Sequence, residues 1–208
     1  MNKITTIIFD FGNVIAFFDR MKTCQKLVKF SSYSADEIYA KIFESELEPE
    51  FDQGKTTPQE FFQLIINAIS LNKNIDFKFF CEIWNDIFEL NLKMEKLIKL
   101  LKQKGYRLAL LSNANKLHSD FFREKFSVLN LFDKFIFSHL KGYHKPDFRM
   151  WTESGERLEN CIYVDDIELY ARSSEEAGVA KAFIYNAKHH EEFEKELLEF
   201  LNIDKKEK

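Results

Sequence analysis

The chain has 208 residues, 45% of them hydrophobic, and a formal net charge of −4. This composition predicts a folded protein with one substantial core and one smaller module, and it provides no basic surface for nucleic acid. No stretch approaches the ~18 apolar residues of a membrane span, and the N-terminal apolar run is too short for a signal peptide. The three cysteines lack metal-ligand spacing and favour a reducing compartment. We therefore expect a cytoplasmic protein without a membrane partner.

The first predicted strand leads into a carboxylate. Residues 5–9 are apolar and rich in Ile and Thr, and Gly12 and Asn13 end the run just after Asp10. A carboxylate at the end of a central strand lies where open parallel sheets place ligands, so Asp10 is our candidate catalytic residue. Taken alone, the segment 7–14 is explained equally well by an Asp in an ordinary strand-to-helix turn.

Residues 17–91 predict an all-helical module, because apolar residues recur there at spacings of three and four. Ser34 with Glu37, and Thr57 with Glu60, fit capping boxes at two helix starts. The predicted helices cover 21–30, 34–47, 57–71 and 75–88, with a turn over 49–57 and an extended flap over 15–19.

After residue 92 the pattern alternates between strands and helices, which is typical of a parallel sheet covered on both faces. The sequence therefore predicts an α/β protein with a doubly wound parallel sheet, formed by residues 1–16 and 92–208, and with the helical module of 17–91 inserted after the first strand. The later predicted strands cover 107–111, 134–138, 160–164 and 180–185, and the helices cover 93–104, 118–126, 168–177 and 189–201.

Polar residues stand at or just after the ends of these strands: Asp10, Ser112, Lys145, Asp165 and Asp166. In a right-handed doubly wound sheet the strand ends share one edge, so these groups should converge. Each one alone has an ordinary explanation as a helix cap, a loop residue or a helix start. Their coincidence at four strand ends is what indicates a site.

Four motifs follow one another along the chain. They are the segment 7–14 around Asp10, the segment 110–113 around Ser112, the pair Lys145-Pro146, and the segment 163–166 followed by 176–179. In these motifs and their order the chain resembles the haloacid dehalogenase superfamily, and within it the bacterial sugar-phosphate phosphatases of the α-D-glucose-1-phosphate phosphatase type. The resemblance implies a Rossmann-like core, with residues 17–91 as a small helical cap.

The resemblance implies a phosphatase that needs Mg²⁺ and acts on a small phosphorylated metabolite, a sugar phosphate being one such substrate. Asp10 would be the nucleophile and form an aspartyl-phosphate. Mg²⁺ would be held by the Asp10 carboxylate, the Gly12 carbonyl and Asp166. Asp165 would orient the neighbouring groups without binding the ion itself.

The same resemblance implies the phosphate contacts. Ser112 and the amide of Asn113 would donate hydrogen bonds to phosphate oxygens, and Lys145 would neutralise charge between the phosphate and Asp10. Without this lysine, one anion would have to attack another.

This chain departs from the pattern of its relatives at three points. Gly12 stands where most phosphatases of the superfamily carry a second Asp, a general acid worth roughly 10²–10⁴ in rate. The interval from Lys145 to Asp165 is about one helical turn shorter than in the glucose-1-phosphatase type, and Tyr170 replaces a small polar residue. These departures raise the questions of proton supply, of the position of the lysine and of the pocket's width.

Two other functions stay open at this stage. A metal-free haloacid dehalogenase would also lack the second Asp, but it would leave three carboxylates uncompensated. A non-catalytic binding or regulatory protein on this fold would explain the glycine. The residues do not reveal the substrate or the oligomeric state.

Overall fold

The computed structural model describes residues 3–72 and 74–203. Within them, five parallel strands form one sheet in the order β5-β4-β1-β6-β7, which confirms the doubly wound α/β fold. The predicted residues 1–2 and 204–208 of the core lie outside the described range. The strands are β1 Thr6–Phe9, β4 Arg107–Ser112, β5 Lys134–Phe137, β6 Cys161–Asp165 and β7 Lys181–Ile184.

Helices cover both faces of this sheet, because its buried strands carry apolar side chains on both sides. Ile7 and Phe9 point into one hydrophobic cluster, whereas Ile8 points into another with Trp151 and Tyr163. The helices of this part are α6 Leu92–Gln103, α7 Lys116–Lys125, α8 Ser138–Lys141, α9 Arg149–Thr152, α10 Glu168–Glu176 and α11 His190–Phe200.

The segment 17–91, called the insert below, has a hydrophobic cluster of its own between Cys24 and Trp84. Both predicted capping boxes are present, with Ser34 and Thr57 as the N-caps. The helices of the insert are α1 Arg20–Leu27, α2 Ala35–Phe43, α3 Leu47–Asp52, α4 Pro58–Ala68 and α5 Phe77–Asn85.

Three parts of the insert differ from the sequence prediction. The helix expected over 34–47 ends at Phe43, and a separate helix, α3, begins at Leu47. The helix expected over 75–88 ends at Asn85, and β3 Phe88–Leu90 pairs antiparallel with β2 Ala16–Phe18, so the margins of the insert are extended rather than helical. The turn expected over 49–57 begins later, because Pro49 lies inside α3. Proline is tolerated there since the first turn of a helix has no hydrogen bond for its missing N–H.

Candidate active site

Three strand ends bring the predicted site residues together. In the central strand β1, Phe9 lies opposite Leu110 of β4 on one side and Val164 of β6 on the other. Asp10 follows β1 directly, and its backbone N–H donates to the carbonyl of Val164 at 2.8 Å. The carboxylate of Asp10 therefore lies at the carboxyl edge of the sheet, beside the ends of β4 and β6.

Lys145 joins the carboxylates at this edge. Its Nζ lies 2.7 Å from Asp10 Oδ1, 2.8 Å from Asp165 Oδ2 and 2.9 Å from the hydroxyl of Tyr163, and only 2% of the residue is exposed. Burial lowers the pKa of this amine, but the carboxylates of Asp10 and Asp165 outweigh burial and raise the pKa above its ordinary value. The shortened interval before Asp165 therefore leaves the lysine in contact with both carboxylates.

Asn113 fixes the loop that carries Lys145. Its Oδ1 accepts a hydrogen bond from the backbone N–H of Lys145 at 2.8 Å, and its Nδ2 donates to the carbonyl of Lys145 at 3.2 Å. The side chain of Asn113 thus positions the lysine loop, and it also makes a hydrogen bond with the side chain of Tyr170. Ser112, the last residue of β4, is buried and lines the cavity at the Asp10 side chain.

Asp10, Asp165 and Asp166 carry carboxylate oxygens within 4.8 Å of one another. Burial raises the pKa of Asp10 to about 7 against the opposing effect of Lys145, and Asp165 and Asp166 raise it further. Burial also raises the pKa of Asp166. The site therefore has one ammonium group and three carboxyl groups. A bound cation would compensate the negative charge that Lys145 leaves over.

The oxygens of these carboxylates are not equally available. Asp165 Oδ1 accepts from the backbone N–H of Ile167 at 2.8 Å, and its Oδ2 accepts from Lys145 and Tyr163. Asp10 and Asp166 carry fewer protein contacts and face the cavity. A set of hard oxygen donors with no sulfur or imidazole among the three residues fits Mg²⁺ by its chemistry.

The loop after Asp10 is a tight turn that places a second polar residue on this site. The N–H groups of Ile15 and Ala16 both donate to the carbonyl of Phe11, and Asn13 has a left-handed backbone with φ of 53°. This conformation directs Asn13 Nδ2 to Asp166 Oδ2 at 3.0 Å. The turn therefore orients the carboxylate of Asp166.

Gly12 lies beneath an aromatic ring. A Cβ atom built on Gly12 would be 2.8 Å from Cε1 of Phe18 and 3.8 Å from Oδ2 of Asp10. The backbone of Gly12 is outside the left-handed region, so the obstacle to a side chain here is the ring of Phe18, which would have to shift.

The cavity above Asp10 has a volume of about 410 Å³ and extends from the sheet edge to the insert. Tyr170 lines it, with its ring centroid 4.8 Å from Lys145 Nζ. Three lining residues of the insert, Arg20, Glu48 and Asp52, were not predicted from the sequence, and neither was His118 of α7. Tyr163 was missed as well, although alternation along a strand puts this residue on the same side as Asp165.

Asn115 connects the insert to the core beside the cavity. Its Nδ2 donates to Asp52 Oδ1 at 3.0 Å and lies 3.1 Å from Nδ1 of His118. The other ring nitrogen of His118 lies 3.2 Å from the carbonyl of Trp84, and the ring stacks on Trp84. Burial lowers the pKa of His118 to about 3, so this imidazole is neutral at physiological pH.

Comparison with known proteins matches residues 4–178 to the family model described as haloacid dehalogenase-like hydrolase. The chain is 28% identical over 176 residues to D-ribitol-5-phosphate phosphatase of Bacteroides thetaiotaomicron. The aligned region covers 78% of this chain and 83% of that protein. None of the described helices has the length and apolar composition needed to cross a membrane.

Solved structures of two bacterial proteins share the fold. One is an enzyme of the haloacid dehalogenase family from Bacteroides thetaiotaomicron, in complex with magnesium and inorganic phosphate. Its TM-score is 0.74 and its identity 24%, and the match covers 88% of this chain and 95% of that one. The other is a predicted hydrolase of the same family from Porphyromonas gingivalis, with a TM-score of 0.74, 21% identity, and coverage of 89% and 93%.

Proposed function

Since the chain belongs to the haloacid dehalogenase-like hydrolase family, we propose that it is a Mg²⁺-dependent phosphomonoesterase acting on a small phosphorylated metabolite. The observation that carries the proposal is the contact of Lys145 with both Asp10 and Asp165, beside the available carboxylate of Asp166. The relative named for D-ribitol 5-phosphate supports a phosphorylated sugar or sugar alcohol as the substrate.

The Asp10 carboxylate acts as the nucleophile. Its free oxygen forms a bond to phosphorus while the bond from phosphorus to the leaving oxygen breaks, which gives an aspartyl-phosphate and an alkoxide that takes a proton from water to become the alcohol. A second water then attacks the same phosphorus, breaks the bond to Asp10 and releases inorganic phosphate, and its proton passes to the solvent. The carboxylate is regenerated, so the cycle needs no other reactant.

Lys145 and Ser112 stabilise the phosphoryl group in the site. The ammonium group of Lys145 holds one oxygen of Asp10 and offsets the repulsion between this carboxylate and an incoming phosphate. Ser112 and the amide of Asn113 donate to phosphate oxygens at the end of β4. Asp165 acts as a positioning residue, because both of its oxygens are used by Lys145, Tyr163 and Ile167.

Asp10, Asp166 and the carbonyl of Gly12 would hold Mg²⁺. The bound ion would supply positive charge at the phosphoryl oxygens and offset the carboxylates that Lys145 leaves uncompensated. Asn13 keeps Asp166 in place for this role through its 3.0 Å hydrogen bond.

The insert, residues 17–91, acts as a cap over this site, and residues 1–16 and 92–208 form the core domain. Its residues line the cavity opposite Asp10, where they exclude water from the aspartyl-phosphate. The hydrogen bonds from Asn115 and Ser138 to Asp52 support a closed position of the cap.

A non-catalytic protein is the second candidate, because Gly12 and Phe18 leave no carboxyl group where a general acid would stand. A metal-free dehalogenase is disfavoured, since one lysine would have to balance three carboxylates. The distinguishing experiment uses metal-stripped protein and an aryl phosphate, with release of phosphate as the readout. We expect activity only after Mg²⁺ is added; full activity in excess chelator would contradict the metal assignment.

A further inference from the structure

The wall of the cavity opposite Asp10 contains an ion pair within the insert. Arg20 Nε lies 3.1 Å from Glu48 Oε1, and Arg20 Nη2 lies 2.9 Å from Glu48 Oε2. The two parallel contacts form a bidentate pair, in which the Glu48 side chain is 8% exposed. The charge of Arg20 is therefore compensated by Glu48, while each Glu48 oxygen, with one contact to Arg20, can accept a further hydrogen bond.

Aromatic rings hold this pair above the catalytic loop. The guanidinium carbon of Arg20 lies 5.1 Å from the ring centroid of Phe18 and 5.5 Å from that of Phe43. Phe18 is the residue that covers Gly12. The ion pair therefore packs against Phe18 of β2, next to the loop that follows Asp10.

Asp52 lies on the same wall, one helical turn after Glu48 in α3. Its Oδ1 accepts a hydrogen bond from Asn115 Nδ2 at 3.0 Å, and its backbone carbonyl accepts from the Ser138 hydroxyl at 2.5 Å. The core therefore sets the position of this carboxyl group relative to the phosphate site.

The basic side chains that line the cavity already have partners. Arg20 is paired with Glu48, and Lys145 is paired with Asp10 and Asp165. His144 lies with Nδ1 2.6 Å from the carbonyl of Lys145, and the buried His118 lies between Asn115 and Trp84. A second anionic group on a substrate would find no uncompensated cation among the described residues of this cavity.

From this wall we infer the substrate class: Glu48 and Asp52 bind hydroxyl groups of the leaving alcohol, and the neutralised Arg20 gives no site for a second anion. The enzyme thus takes phosphate monoesters of neutral polyols and discriminates against those that carry a further carboxylate or phosphate. The inference rests on the proposed phosphatase function and names the selectivity of the same site.

The charge state of Asp52 supports hydroxyl binding. Burial and the neighbouring Glu48 raise the pKa of Asp52 to about 8, against the opposing contacts of Asn115 and Arg20. The carboxyl group therefore carries a proton at neutral pH and can both donate to and accept from a hydroxyl. A substrate carboxylate in place of that hydroxyl would be repelled by Glu48, and Arg20, already paired with Glu48, would not compensate its charge.

The test begins with the native protein and two substrates of nearly equal size. Glycerol 3-phosphate carries neutral hydroxyls, whereas 3-phosphoglycerate carries a carboxylate in place of one of them. We expect kcat/KM to favour glycerol 3-phosphate by roughly tenfold or more. Equal values, or a preference for 3-phosphoglycerate, would overturn the inference without any variant being made.

Glu48→Gln then tests the origin of the preference. The glutamine keeps the length of the side chain but leaves the charge of Arg20 uncompensated, so 3-phosphoglycerate should gain a partner. We expect the preference to fall by roughly tenfold, mainly through a lower KM for 3-phosphoglycerate. Glu46→Gln, an exposed site at the start of α3, is the matched control and should keep the native preference.

Asp52→Ala tests the hydroxyl contact separately. The KM for glycerol 3-phosphate should rise by about tenfold, and the KM for an aryl phosphate should rise less. Thermal melts check the folding of each variant, and the native comparison decides the matter if a variant does not fold. Unchanged selectivity in folded Glu48→Gln and Asp52→Ala would overturn the inference.

An aryl phosphate separates this inference from the function on which it rests. If the native protein hydrolyses the aryl phosphate but shows no preference between the matched substrates, the inference about the wall is wrong. If the native protein hydrolyses none of the three with Mg²⁺ present, the phosphatase function is wrong.

Discussion

Lys145 Nζ lies 2.7 Å from Asp10 Oδ1, although 135 positions separate the two residues in the chain. Both side chains are buried, and the same ammonium group contacts Asp165. Breaking a buried pair leaves an uncompensated charge, which costs more than the pair itself stabilises. The contact therefore joins Asp10, the proposed nucleophile, through Lys145 to Asp165 at the end of β6.

Replacing the lysine tests this relationship. Lys145→Met should lower kcat by about 10²–10³, because the methionine fills the volume but leaves Asp10 and the phosphate to repel each other. Lys141→Met, at a partly exposed lysine paired with Glu153, is the control and should change kcat little. Steady-state rates on an aryl phosphate measure both variants; similar losses would count against the role of Lys145.

The glycine at position 12 predicts a strong dependence of the rate on the pKa of the leaving alcohol. With no carboxyl group at position 12, the native rate should fall steeply as the pKa of the leaving alcohol rises. Gly12→Asp alone should lower the melting temperature, because its Cβ would lie 2.8 Å from the ring of Phe18. Gly12→Asp combined with Phe18→Ala should relieve this contact and flatten the dependence on leaving group.

The control for that experiment is Phe18→Ala alone, which opens the same space without supplying an acid. Rates are measured over a series of aryl and alkyl phosphates, and melts are recorded for all forms. A flat dependence in the native protein, with chemistry rate-limiting, would mean that another group supplies the proton.

Gly54 is where the insert approaches the core most closely among the glycines. A Cβ there would lie 2.2 Å from the carbonyl oxygen of His139, and φ is +71°. Gly54→Ala should therefore lower the free energy of unfolding by about 1–3 kcal/mol beyond the cost of a left-handed alanine. It should also shift substrate preference more than the rate on an aryl phosphate.

Gly105→Ala provides the matched control, because Gly105 has φ of +87° and nothing within 4 Å of a built Cβ. Its cost isolates the backbone effect, and the difference between the variants isolates the contact with His139. For a chain of this size the melting temperature moves by about 2–4 °C per kcal/mol. Equal melting temperatures for the two variants would contradict this close packing of insert on core.

The buried His118 predicts a pH dependence of stability. Its folded pKa of about 3 lies below the ordinary 6.5, so the unfolded chain binds more protons between these values. The imidazole thus favours the folded state fully above about pH 6.5, and this contribution is lost as pH falls toward about 3. The loss should reach about 2 kcal/mol near pH 5.

His118→Gln removes the titrating group, so the stability of this variant should fall less than that of the native protein between pH 7 and pH 5. Denaturant unfolding at several pH values gives the free energies. Parallel curves for the two proteins would show that His118 does not titrate with this shift.

The sequence was sufficient for the fold because its local signals agree with the tertiary structure. Both predicted capping boxes form, and Gly105, which follows the C-cap of α6, has the positive φ that favours glycine after a helix. The strand β3 was missed, since residues 88–90 continue an apolar helical pattern and become extended only by pairing with β2. Such pairing depends on a contact across 70 residues, which periodicity cannot supply.

The site divides in the same way. The proximity of Asp10, Ser112, Lys145, Asp165 and Asp166 could be predicted because each lies at or after the carboxyl end of a strand, and the parallel sheet brings these ends together. The position of Arg20, Glu48 and Asp52 could not, because helices of the insert carry them and only the packing of the insert on the core brings them to the same cavity as Asp10. The close approach of Phe18 to Gly12 likewise depends on β2 folding back over the loop.

The central claim is that Asp10 forms a covalent bond to phosphorus, and rapid quenching tests it most directly. Protein and excess aryl phosphate are mixed with Mg²⁺, quenched in acid within milliseconds, digested and analysed by mass spectrometry. We predict a phosphoryl group on the peptide that contains Asp10, a matching burst of released phenol, and neither signal in Asp10→Asn. Steady turnover by Asp10→Asn at the native rate, or a phosphoryl group on a different residue, would contradict the account.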